Sequence, residues 1–172
     1  MSEIDEAWAF ALAEAEARAR LAGRNDVADY LALRNSNDLL RRTGIEWLIK
    51  TFTDIAGSAN RAGSSIQSSK QESHRFRVGE ATMVGTLLTL RLGVRVLSIE
   101  AGWPRTPRDG IVRGGGLACA NIKHLGIKSA CQELLLTVSP SGAPRWVVVG
   151  DQRCELHQAD AENHVAILFD EL

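Results

Sequence analysis

The chain has 172 residues, 45% from the apolar set of Ala, Val, Ile, Leu, Met, Phe, Trp, Tyr and Cys and 24% charged, with a formal net charge of −1. A chain of that size buries its own core, and its composition is close to the globular average, which excludes wholesale disorder, a fibrous repeat and a miniprotein that depends on disulfides. The small net charge hides a pattern: residues 1–29 carry seven acids against three arginines, residues 30–128 fifteen bases against seven acids, and residues 151–172 six acids against one arginine.

A basic middle between acidic ends has two readings: the ends fold over the middle and pair with it, or the middle is a cationic face for an anionic partner. The opening "MSEIDEAW" lacks the basic flank and apolar core of a secretory signal. No uncharged apolar run approaches the roughly 18 residues of a membrane span. The expectation is therefore a soluble, cytoplasmic protein without membrane association. Cys119, Cys131 and Cys154 are an odd number in a chain with its own core, and they read as reduced thiols.

In chain order, Ser2 with Glu3, Asp5 and Glu6 marks a helix start, and Ile4, Trp8, Ala11, Ala15, Ala19 and Ala22 recur at helical spacing. Gly23 ends that helix. "NDVADYLAL" restarts one at Asn25 or Asp26 with Val27, Tyr30 and Leu31 on a side, and "NSND" interrupts again. A third helix is headed by a capping box, Thr43 with Glu46, and buries Ile45, Leu48, Ile49, Phe52, Ile55 and Ala56, with Trp47 at the stripe's edge. Residues 1–56 thus form a helical region. Residues 57–73 contain six serines and two glycines with Ile66 as the one large apolar residue, and read as a flexible connection.

From residue 74 the period changes to two. "HRFRV", "TMVGTLLTLRL" and "VRVLSIEA" are strands, Gly93 is a turn or a bulge, and "LACANIKHL" is taken as a strand. "ELLLTV" and "RWVVV" flank the turn "SPSGAP" as a hairpin. The end returns to helix, with Asp160 as cap and Val165, Leu168, Phe169 and Leu172 on a face. Residues 74–172 therefore read as a β domain with a C-terminal helix. The whole is α+β: N-terminal helices, a mainly antiparallel sheet of about five to six strands, then a helix.

Familiar chemistry is mostly absent. Counted from Gly114 and Gly116, the third glycine of a dinucleotide fingerprint falls on Cys119, and Leu117 stands where a P-loop needs lysine. Cys154 and His157 have a ligand-like spacing without a second pair, so no metal and no cofactor is expected. No nucleophile elbow is present, and a catalytic set is not identified. Glu100 and Asp109, in the arginine-rich middle, suit salt bridges as well as a carboxylate pair.

What remains is the loop of residues 102–116. Its prolines and glycines shape it, and Trp103, Arg105, Arg108, Arg113 and backbone amides of Gly114, Gly115 and Gly116 could together take a carboxylate or phosphate. The expectation is a non-enzymatic binding or regulatory module for a small or anionic ligand or a protein partner. An open sheet and spare apolar helix surface predict a homodimer. The alternative is nucleic-acid binding through Arg75, Arg77, Arg91 and Arg95, and the second alternative an enzyme of unknown class.

Overall fold

The computed structural model describes residues 3–170, ordered as helices, sheet and helix. Ser2 and Leu172, expected at the first and last helices, lie outside the described residues. Helix α1 spans Glu3–Leu21 and turns at Gly23, in the left-handed region at φ 72°, into α2, Asn25–Arg61. Of the expected α1 stripe Ala19 is buried and Ala15 half-buried, whereas Ile4, Trp8, Ala11 and Ala22 are exposed and Leu12, outside the stripe, is buried.

Helix α2 corrects the expectation of two helices here. It runs for 37 residues through both "NSND" and the Thr43 capping box. The polar residues read as a stop are used inside the helix: Asp38 is buried and accepts from Arg41 Nη1 at 2.7 Å. Gly44, read as part of a restart, lies where α2 meets the sheet, and a Cβ there would stand 2.6 Å from Leu136 Cδ1. Of the expected stripe Ile45, Leu48, Ile49, Phe52 and Ala56 are buried, and Ile55 is partly buried against the same core.

The segment read as a flexible connection is a helix end, a short turn and a strand. Asn60 closes the turn with one side chain, donating from Nδ2 to the Ile66 carbonyl at 2.9 Å and accepting the Ile66 amide on Oδ1 at 2.7 Å. Strand β1, Gln67–Val78, then starts the sheet, earlier than residue 74. The others are β2 Ala81–Leu92, β3 Arg95–Trp103, β4 Ala118–His124, β5 Gln132–Val138, β6 Pro144–Val148 and the short β7 Cys154–Glu155. Gly93 forms the β2–β3 turn, at φ 59°. The sheet is antiparallel and in sequence order, seven strands where five or six were expected.

Alternation sorts the sheet into two faces. Leu88, Leu90, Leu97, Ile99, Ala101, Ala120, Ile122, Leu134, Leu136 and Trp146 form the main core with α2. Helix α3, Gln158–Ala166, closes it with Ala161, Val165 and the following Leu168. His157 is the N-cap of α3, and Asp160, expected there, sits one turn inside, where Oδ2 accepts the His157 amide at 2.7 Å. Phe76, Met83, Cys119, Leu135 and Val147 face the other way and form a smaller core with Val112 of the connection between β3 and β4. Among the described residues no helix is long and apolar enough to cross a membrane.

Candidate functional site

Trp103 ends β3 opposite Val84 of β2, on the face toward α2. It is 6% exposed, a core residue more than a loop residue. Two residues on, the Arg105 guanidinium lies over its ring, 3.5 Å from the centroid. The same guanidinium donates from Nη1 to Asp5 Oδ1 at 2.9 Å, and from Nε and Nη2 to the Val84 carbonyl at 3.4 Å each. Stacking and three donors fix a planar cation that is otherwise flexible. Its pairing with Asp5 is an instance of an acidic end folded on the basic middle.

The turn after Arg105 is organised by Asp109. Its Oδ2 accepts from the Arg105 amide at 3.2 Å, the Thr106 amide at 3.0 Å and the Thr106 hydroxyl at 3.1 Å, and its Oδ1 from Arg75 Nη2 at 3.1 Å. Burial pushes the carboxyl up, but the Thr106 donors, the Arg105 amide and the Arg75 charge outweigh it and hold Asp109 below its ordinary value.

Farther on, the glycines serve packing. A Cβ on Gly116 would stand 2.2 Å from Leu135 Cδ1, and one on Gly114 3.0 Å from Arg153 Nη2. Leu117 then anchors the loop, its amide donating to the Leu136 carbonyl at 2.9 Å and its carbonyl accepting from Arg41 Nε at 2.8 Å. Gly115 is exposed with open space about it. Arg108 is exposed, and Arg113 lies against Gly79 in the β1–β2 turn. Of the residues expected to converge on an anion, Trp103 and Arg105 come together, whereas Arg108, Arg113 and the glycines lie along the loop.

The four arginines of the nucleic-acid reading are similarly spread. Arg75 is paired with Asp109, and Arg77 donates from Nη2 to the Glu80 carbonyl at 3.3 Å. Arg91 and Arg95 flank the turn at the opposite end of β2, roughly 23 to 30 Å away at the rise of a strand. They do not form one surface with Arg75 and Arg77.

Two clefts meet at Arg105. One, of about 630 Å³, lies between α2 and the β1–β2 ribbon, with Ile45, Ile49 and Thr53 on one wall and Glu72, Ser73 and Thr86 on the other. The second, of about 920 Å³, lies between α1, the first half of α2 and the loop, with Trp8, Tyr30, Leu33 and Arg34 on its walls. Ile4, Asp5, Trp103 and Arg105 line both. A β-bulge shapes the first: register shifts between Gln71 and His74, Ser73 takes a positive φ of 56°, and Glu72 accepts from Thr86 Oγ1 at 3.1 Å. The helical walls were not identified from sequence, and the acidic start was read as a partner for the middle only as a whole, without Asp5 being singled out.

On the opposite face the bulge sends His74 across Gly85 toward Glu100. Glu100 is 6% exposed and accepts from His74 Nε2 at 2.9 Å, Asn121 Nδ2 at 3.0 Å and Lys123 Nζ at 2.5 Å. Burial pushes this carboxyl up, yet Lys123, Asn121 and His74 together hold it below its ordinary value. Glu100 and Asp109 are both salt-bridged and do not form a carboxylate pair.

The thiols do not make a site. Cys119 is buried, its pKa raised to about 11 by burial and by Glu133, and Cys131 and Cys154 are exposed and unbridged. Among the described residues no group of three or more His, Cys, Asp or Glu is placed to hold a metal. Comparison of the chain with protein-family models, with curated proteins and with solved structures finds no match in any of the three, so the chemistry of the clefts rests on their own residues.

Proposed function

We propose that the protein is a non-enzymatic binding module for a small anionic ligand, with Arg105 as its anion contact and the two clefts as the seat for the ligand's body. One observation carries this reading. A guanidinium stacked on a buried tryptophan stands where two apolar-walled clefts meet, the pairing of one oriented charge with apolar surface that ligand pockets use. The scattered placement of Arg108 and Arg113 moves the anion contact to the start of the loop. Self-association belongs to the same reading, because Phe10 and Leu21 of α1 and Leu39 of α2 are exposed apolar residues outside the clefts. Unbridged cysteines suit a cytoplasmic setting.

The test is anion-induced thermal stabilisation of the parent and of Arg105→Ala, Arg108→Ala and Arg113→Ala. Arg105→Ala is expected to weaken binding by about 1.5 to 3 kcal/mol, the scale of hydrogen bonds to charged groups, while the other two retain the parent response. Equal responses from all four proteins overturn the reading. Light scattering that reports 18.7 kDa at tens of micromolar protein overturns self-association.

A further inference from the structure

The first turn of α1 stands between the two clefts, and what it presents there has the form of a ligand. Asp5 places a carboxylate on Arg105, and Ile4 beside it supplies an apolar group that lines both clefts. The turn buries little apolar surface. Ile4 is 72% exposed, and Leu12 and Ala19 are the buried residues of a 19-residue helix. The Asp5–Arg105 pair is partly open as well, with side chains 19% and 29% exposed. A competing carboxylate has to take over the contact that Asp5 makes to Nη1, while the Val84 and Trp103 contacts of the guanidinium stay in place.

We propose that residues 4–5 are a displaceable internal mimic of the ligand, and that the ligand class is a carboxylate on an apolar body. Binding moves the first turn of α1 aside, puts the ligand's carboxylate on Arg105 in place of Asp5, and joins the two clefts into one. The inference rests on the proposed function and adds the ligand's chemistry and its control. Because a site that is mostly closed binds with an affinity reduced by its open fraction, α1 sets the affinity of Arg105 for its ligand. Carboxylate is preferred because the guanidinium already holds one, from Asp5, in a geometry with Val84 and Trp103 in place.

The experiment is calorimetric titration with decanoate, with decanol as the uncharged probe, on the parent, Asp5→Asn, Arg105→Ala and the double variant Asp5→Asn/Arg105→Ala. Asp5→Asn is expected to bind decanoate roughly tenfold more tightly, as for a plug closed about nine-tenths of the time. Both proteins lacking Arg105 should lose decanoate binding, and decanol, which needs the opened clefts but not the guanidinium, should bind weakly throughout and gain in every variant that breaks the Asp5–Arg105 pair. Unchanged or weaker binding by Asp5→Asn, with decanoate still lost in Arg105→Ala, overturns the mimic and leaves the site standing. Decanoate binding that ignores Arg105, or no binding in any protein, overturns the proposed function itself. A readout independent of the variants is amide exchange in the parent: decanoate should speed exchange in residues 3–12 while slowing it at 103–110. Slower exchange at both sites would show α1 clamping down on the ligand and would overturn displacement.

Discussion

The indole Nε1–H of Trp146 donates to the main-chain carbonyl of Gly44 at 2.8 Å, tying the middle of α2 to β6 across 102 residues of sequence. Trp146 is 1% exposed, and at Gly44 the helix backbone comes against the Leu136 side chain. Gly44→Val is expected to destabilise the protein by about 2 kcal/mol, because its added methyls meet a core that has no room for them. Trp146→Phe keeps the ring and removes the donor, with an expected loss of about 1 kcal/mol. Urea unfolding of the two variants checks both values.

Gly85 sets a stricter limit. Its Cβ would fall 1.9 Å from the Ala101 carbonyl oxygen, and that of Gly102 opposite 2.5 Å from the Val84 carbonyl oxygen. Backbone cannot yield as a side chain does, so Gly85→Ala has to part β2 from β3 beside Trp103. The expected cost is about 3 kcal/mol, and the Trp103 environment should change with it. Near-ultraviolet circular dichroism and thermal melting of the variant report the two effects together.

Acid should loosen α3 before it unfolds the sheet. Nε2 of His124 lies 2.9 Å from Nδ1 of His164, whose Nε2 lies 3.0 Å from Gln132 Oε1. With Gln132 accepting, His164 carries its proton on Nε2, accepts from His124 on Nδ1 and is therefore neutral. Burial lowers both pKa values; Arg95 depresses His124 further, and His164, with His124 against it and Asp160 only partly offsetting, lies at about 4. The unfolded chain therefore binds these protons first. Stability present above about pH 6.5 is lost as pH falls toward about 4, by an amount on the order of 2 to 3 kcal/mol for His164. His164→Gln should flatten stability across that window, as measured by urea unfolding at successive pH values.

Asp109 governs access to the loop. Removing its carboxylate in Asp109→Ala leaves the Thr106 and Arg105 amides without their acceptor and Arg75 without its partner. Limited trypsin digestion should then cut after Arg105 and Arg108 much faster than in the parent, while the β5–β6 hairpin stays intact. Equal cutting rates would show that the turn holds its shape without Asp109.

Residues that announce themselves by local alternation were legible in the sequence. Leu134, Leu136 and Trp146 identify the β5–β6 hairpin, and the Ile45 to Ala56 stripe identifies the buried face of α2. Residues whose role depends on a distant partner were not. Asn35, Ser36 and Asn37 favour a helix end locally, yet α2 continues through them, with Asp38 held by Arg41 and the helix packed on α1. The serines of β1 suggest a flexible connection because nothing in their composition reveals the pairing of Gln67 to Gln71 with Arg91 to Leu87. Arg105 was legible as a candidate from its neighbours, but Asp5, 100 residues away, has no local signal that joins it to that site.

A sheet in which every strand pairs with its neighbour in sequence closes only short loops as it grows. The long closures are those of the helical region, from Gly44 to Trp146, Arg41 to Leu117 and Asp5 to Arg105. Since the entropy of loop closure is met before distant contacts return anything, the ribbon of strands can assemble from successive hairpins and the helical region docks onto it afterwards. Synthesis runs opposite to that order of assembly: α2 leaves the ribosome before any strand, and its apolar stripe has to wait, uncovered, for a sheet whose sixth strand is the last to reach it.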